Sequence, residues 1–166
     1  MSVRKQHKRY SKPRKLFDKI RIDEENKLVK DYGLKNKREI WKADFFVNKI
    51  RNQAKALITS PTEKQTEFLE RLHAKGLVKK GAQIDDVLAL TKEAILERRL
   101  QTIVFKKKIV QSAKQARQLI THKHILLKGK VVNVPSYFVN LEEESNIEKR
   151  ERQKKAKIEP EQGEEQ

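Results

Sequence analysis

Charge restricts this chain more than any other feature. Residues 1–140 hold 34 Lys and Arg against 14 Asp and Glu, a net of +20, and the remainder lowers the whole to +17. A compact body with that excess repels itself, and a polyanion alongside relieves the repulsion. The expected partner is therefore nucleic acid. Charged residues make up 38% of the 166 and hydrophobic residues 36%. Apolar surface on that scale supports only modest cores, so part of the chain is expected to order against its partner.

With no cysteine, disulfides, Cys-based zinc sites and thiol catalysis drop out together. The basic start, Met1 to Lys15, is not followed by an apolar stretch, and no segment approaches the ~20 apolar residues that span a bilayer. The chain is read as soluble, unsecreted and free of membrane contact.

Seven Lys or Arg and no acid lie in residues 1–15. This composition solvates rather than packs, and Arg4, Lys5, Lys8, Arg9, Lys12, Arg14 and Lys15 are expected to contact phosphate. A short helix is predicted from Asp23 to Tyr32, stopped by Gly33. A longer one follows from about Lys37 to Ile58, with Ile40, Phe46, Val47, Ile50, Ala54, Leu57 and Ile58 on one face. Trp41 and Phe45 fall off that stripe. They either seal a second contact within the protein, the better reading, or stack on a base. Ser60-Pro61-Thr62-Glu63 predicts a capped helix to about Lys75, stopped at Gly76, with Phe68, Leu69 and Leu72 inward. Gly81 opens a turn before a short apolar element at Ile84–Leu90.

Thr91 is expected to cap one helix running to about Lys107, with Leu96, Leu100 and Ile103 inward and Arg98, Arg99, Gln101 and Thr102 turned away. Phe105 lies nearly opposite the apolar line, so this helix should sit between two bodies. Ser112 then caps Ala113–Thr121, whose Ala113, Ala116, Leu119 and Ile120 face inward and whose Lys114, Arg117, Gln118 and Thr121 face out. Short strands are predicted at Ile125–Leu127 and Val131–Val132, joined by Lys128-Gly129-Lys130, with a third at Tyr137–Val139.

The run from Arg98 through Val139, RRLQTIVFKKKIVQSAKQARQLITHKHILLKGKVVNVPSYFV, resembles the RNA-binding domain named after ribosomal protein S-four. Its SAxxARQLI stretch, the following hairpin and the VPSYFV ending carry the likeness. YGLKNKREIW at 32–41 and LERRLQTIVFK at 96–106 resemble the archaeal and eukaryotic branch of the S-four family itself, so the likeness covers most of residues 1–140. It implies an α+β fold. A mainly helical domain (23–97) would precede a small S-four-type module of two helices on a short sheet (98–140). Composition, rather than the likeness, adds a basic arm (1–22) and a charged tail (141–166) that is expected to be disordered, or partly helical around Ile147 to Lys157.

The resemblance also implies a structural protein of the small ribosomal subunit that binds its rRNA directly, nucleates assembly of the body, neighbours ribosomal protein S-five and helps decoding accuracy in the cytoplasm. The expected contact set comprises the arm residues, Lys37 and Arg38, and Arg98, Arg99, Ser112, Lys114, Gln115, Arg117, Lys123, Lys128 and Lys130. Contacts to backbone and shape suit a folded RNA junction, since base readout requires splayed bases. Many bacterial members carry Cys zinc ligands that this chain lacks, so no metal or other cofactor is expected. The family often has Gly where Lys123 stands. His122 and His124 are read as one packed and one phosphate-facing side chain rather than a metal pair. No nucleotide-binding, zinc-protease or nucleophile-elbow motif occurs, and no enzymatic activity is expected. The alternatives are a ribosome-assembly factor of the same architecture and an RNA-modifying enzyme bearing the module as an appendage.

Overall fold

The computed structural model describes residues 9–150. Five helices form the amino-terminal part: α1 (Lys19–Asp31), α2 (Arg38–Leu57), α3 (Thr62–Ala74), α4 (Ile84–Leu88) and α5 (Lys92–Glu97). The carboxyl-terminal part holds α6 (Leu100–Lys106), α7 (Ala113–Thr121), β1 (Ile125–Leu127), β2 (Lys130–Val131), α8 (Leu141–Glu144) and β3 (Ile147–Lys149). The strands form one antiparallel sheet in the order β2-β1-β3.

Two cores result. In the first, the α2 stripe Ile40, Ala43, Val47, Ile50 and Ala54 meets Leu28, Phe68, Leu72, Val87 and Leu96. In the second, Leu100, Ile103 and Val104 of α6 pack on Ala116 and Ile120 of α7, with Ile125, Leu127, Val139 and Ile147. Each fully buried Val, Leu, Ile or Phe side chain here contributes about 1.5–3 kcal/mol. Phe138 joins the cores across the seam: it packs against the first cluster, its ring 6.2 Å from that of Phe46.

Several local expectations need correction. α1 begins at Lys19, ahead of Asp23, because Asp18 O accepts from Ile22 N and Arg21 pairs with Glu25 one turn on. Ile58 lies past the end of α2 and is exposed. Ser60 does not cap α3: its hydroxyl donates to Ala56 O, and Pro61 takes the cap position. The Gln65 amide instead covers the Leu57 and Ser60 carbonyls at 3.0 Å each, tying α3 to the end of α2.

The single helix expected from Thr91 to Lys107 is two, broken at Arg98–Arg99. There the backbone turns extended and Arg99 bridges antiparallel to Phe138. Leu100 N donates to Tyr137 O at 2.8 Å and Gln101 N to Pro135 O at 3.3 Å. Carbonyls of the returning chain thus satisfy the first turn of α6, which has no side-chain cap. Tyr137–Val139 is accordingly no sheet strand.

The third strand is β3, inside the segment read as a disordered tail. Ile147 stands opposite Leu127 in the ladder and is buried beside it. Asn140 and Glu143 form a reciprocal cap that starts α8 and turns the chain toward β3. The remainder of that tail lies outside the described residues. The β1–β2 loop reduces to Lys128-Gly129, φ +49° and +73°, as a type I′ turn requires.

Candidate nucleic-acid interface

The most connected polar group sits on the seam between the two cores. Glu39, in the first turn of α2, faces two arginines from the other part of the chain. Arg99 Nη2 pairs with one carboxylate oxygen and Arg117 Nη2 donates to the other at 2.9 Å. Arg117 Nη1 also reaches Gln101 Oε1 at 3.2 Å. The Gln101 amide, fully buried, points at the carbonyls of Tyr32, Gly33 and Ala113 at 2.9–3.0 Å. Gly33 is required there. Its φ is +58°, and a Cβ would come within 2.9 Å of Ala113 Cβ and 3.1 Å of Gln101 Nε2. Burial pushes the Glu39 pKa up, but hydrogen bonds and charge from Arg117 and Arg99 outweigh it, so the carboxyl lies below its ordinary value.

This network changes the meaning of three expected contact residues. Arg99 is not turned outward but 5% exposed. Arg117 is half-buried against Glu39. Arg98 is half-buried too, pairing with Glu144 at 2.7 Å and donating to Val139 O at 2.9 Å. Gln101 and Thr102, also read as outward, are buried, and the Thr102 hydroxyl donates to Leu96 O. The buried Arg99 guanidinium needs its carboxylate more than a remote phosphate, because an unpaired charge inside a fold costs on the order of 3–5 kcal/mol; Arg98 and Arg117, half-buried, keep part of their side chains at the surface while paired. The three arginines hold the seam.

The remaining expected residues are arrayed differently. Lys114 and Gln115 are exposed on α7, whose bounds match those read from the sequence, with Ser112 Oγ accepting from Gln115 N. Lys123 follows in the left-handed region at φ +62°, with Lys123 N on Ile120 O and His124 N on Leu119 O. It occupies the position where glycine ordinarily ends a helix. Lys128 and Lys130 are exposed on the hairpin, and Lys128 lies 3.7 Å from Glu143. Arg9, Lys12, Arg14, Lys15 and Arg38 are also exposed; Arg4, Lys5 and Lys8 lie outside the described residues.

The second amino-terminal cluster centres on Glu25. Lys37, half-buried, lies 3.5 Å from its carboxylate. Trp41 Nε1 donates to the same buried group at 3.0 Å, and the Trp41 ring stacks on Tyr10, which Arg38 also covers. Burial raises the Glu25 pKa, while hydrogen bonds from Trp41 and Arg21 and the charges of Arg21 and Lys37 bring it below normal. Trp41 therefore makes its contacts within the protein, whereas Phe45 faces solvent.

Sequence reasoning passed over two basic groups. Lys106, Lys107 and Lys108 are exposed at the end of α6, and Lys108 has φ +56°. The unbroken lysine triplet was the available signal. Lys149 falls within the segment expected to be tail, yet it lines an open depression of about 670 Å³ with Gln115, Gln118, His122 and His124. His122 is exposed and His124 half-buried, so both histidines border this one space. Among the described residues no three His, Cys, Asp or Glu gather as a metal site, and no helix is long and apolar enough to cross a membrane.

The module built on α6, α7 and the sheet is of a known class: residues 98–145 match the S4 domain family. The likeness extends far beyond it. The small ribosomal subunit protein uS4 of Thermoplasma acidophilum is 49% identical over 148 residues, covering 85% of this chain and 74% of that protein. The uS4 protein of Methanoregula boonei is 47% identical over 152 residues, covering 86% and 82%. That of Korarchaeum cryptofilum is 44% identical over 149 residues, covering 88% and 90%. The chain belongs to the small ribosomal subunit protein uS4 family.

Proposed function

We propose that this protein is a structural constituent of the small ribosomal subunit that binds the subunit's rRNA and holds an RNA junction folded. Kinship across more than four-fifths of the chain with proteins named for that particle carries the reading. The physical arrangement agrees with it. Lys114 and Gln115 on α7, Lys123 behind it, and Lys128 and Lys130 on the hairpin remain exposed, while Arg98, Arg99 and Arg117 fix the backbone that presents them. Lys149, which shares a depression with Gln115, and the exposed Lys106–Lys108 add further cations to the proposed contact set. The net charge supplies affinity through counterion release, and the rigid placement of donors supplies shape selectivity.

In this reading the chain divides into a basic arm, a helical body and an RNA-binding module that continues past residue 140 to Lys149. Direct binding early in assembly, a small-subunit neighbour such as protein S-five, a cytoplasmic ribosomal location and the absence of any catalytic step follow from the same reading. Quantifying the protein in salt-washed mature small subunits tests it. One copy per subunit is expected; copies confined to precursor particles would make it an assembly factor instead.

A further inference from the structure

Around the start of α1 there is apolar surface that the described residues leave uncovered. Phe17 is 93% exposed, and Leu16 and Ile20 beside it are 58% and 75% exposed. Adjacent exposed apolar side chains of this size mark an interaction surface. The backbone that leads into Phe17 is moreover held in place. Arg21 Nη2 donates to the carbonyls of Lys15 and Leu16, at 3.0 Å each, so one guanidinium clamps the turn that carries the ring. Arg21 Nη1 is in turn fixed on the buried Glu25 at 2.6 Å, and Trp41 Nε1 holds the same carboxylate from α2. The chain Trp41–Glu25–Arg21 thus anchors an exposed aromatic to the helical core. With the backbone already fixed, only the rotamer of the ring has to be ordered when something stacks on it.

The surroundings of the ring identify its occupant. Lys12, Arg14, Lys15 and Lys19 are exposed within five residues of Phe17. The single acid between Arg9 and Ile20 is Asp18, half-buried, and acids resume at Asp23 and Glu24 along α1. An apolar peptide would cover the ring but leave four cations without counterions. Unpaired RNA brings a flat π face and phosphates on either side of it, matching both features.

We infer that Phe17 is a stacking platform for an unpaired base of the bound RNA, with Leu16 and Ile20 flanking that base and the four cations taking the adjoining phosphates. This deepens the reading of the chain as an rRNA-binding protein and rests on it.

Full-length Phe17→Ala, Phe17→Leu and Phe17→Trp proteins, titrated with small-subunit rRNA across a range of salt, test the assignment. Loss of a stacked base weakens binding about tenfold to a hundredfold. Ala and Leu should both show that loss with an unchanged slope of log affinity against log salt, since stacking releases no counterions. Trp should keep wild-type affinity, and its emission, above the background of Trp41, should be quenched by RNA. Unfolding temperatures should match across the set because the side chain touches little in the fold. Wild-type affinity in Phe17→Leu but not Phe17→Ala would reduce the contact to apolar burial and overturn stacking. Wild-type rRNA binding by all three variants would overturn it outright, and with poor incorporation into subunits reconstituted from rRNA and the other proteins would assign the ring to a protein partner. Failure of the wild-type chain itself to bind this rRNA would overturn the functional reading together with the inference.

Discussion

Glu39→Ala strikes the seam at its most connected point. The substitution leaves the Arg99 guanidinium, 5% exposed, without a carboxylate, and frees Arg117 from its fixed position. Removing one partner of a buried ion pair costs about 3–5 kcal/mol. The Glu39 and Arg117 side chains retain 16% and 24% of their exposure, so water partly compensates and the low end, about 3 kcal/mol, applies. At about 2–4 °C per kcal/mol for a body of this size, the unfolding temperature should fall by about 6–12 °C. Glu39→Gln keeps the shape and one acceptor, and should cost about 1–2 kcal/mol.

Acid provides an independent handle on the same group. A carboxyl whose folded pKa is depressed binds fewer protons folded than unfolded. Its contribution is complete above the unfolded value, ~4.3, and disappears as pH falls through the lower folded one. Wild type should therefore lose stability below about pH 5, and Glu39→Gln should lose less over the same interval. Glu25, lowered in the same sense, contributes equally to both proteins and cancels in the comparison. Urea unfolding followed by circular dichroism at pH 7 and pH 4 measures both effects. A cost below about 1 kcal/mol for Glu39→Ala, or parallel acid limbs in wild type and Glu39→Gln, would refute the ascription of the seam's rigidity to this ion pair.

Ending the chain at Asn140 removes β3 and strips Ile147 from Leu127; thermal unfolding should show a loss of about 2–4 kcal/mol, and an unaltered midpoint would mean that β3 contributes nothing. Lys123→Gly relieves a left-handed lysine and should raise stability by about 0.5–1 kcal/mol in the same assay, since the relief exceeds glycine's unfolded-state entropy. Reversing Lys114 and Lys130 together to Glu should leave helix content unchanged, weaken rRNA binding and reduce its log–log salt slope by about 1.5–2, as two lost phosphate contacts require; an unchanged slope would remove α7 and the hairpin from the interface.

Signals that act within a turn or two were legible in the sequence. Ser112 caps α7, and alternation of Ala and Ile with Lys and Gln sets its faces, so Ala113–Thr121 emerged with its bounds intact. Gly33 and Gly76 mark helix ends, Lys128-Gly129 forms the turn, and the excess of Lys and Arg points to a polyanion. Tertiary structure alone decided which cations face outward. Arg98, Arg99 and Arg117 look no different from Lys114 in the sequence, yet Glu39 stands 60 residues from Arg99 and 78 from Arg117. Whether a guanidinium is spent on such a carboxylate depends on the desolvation both share once two cores close around them. The same holds for Ile147, a lone apolar residue among charges, which becomes a strand only because Leu127 offers it a ladder and a buried face. Periodicity records what a residue's near neighbours do; burial and pairing record which distant segment arrives.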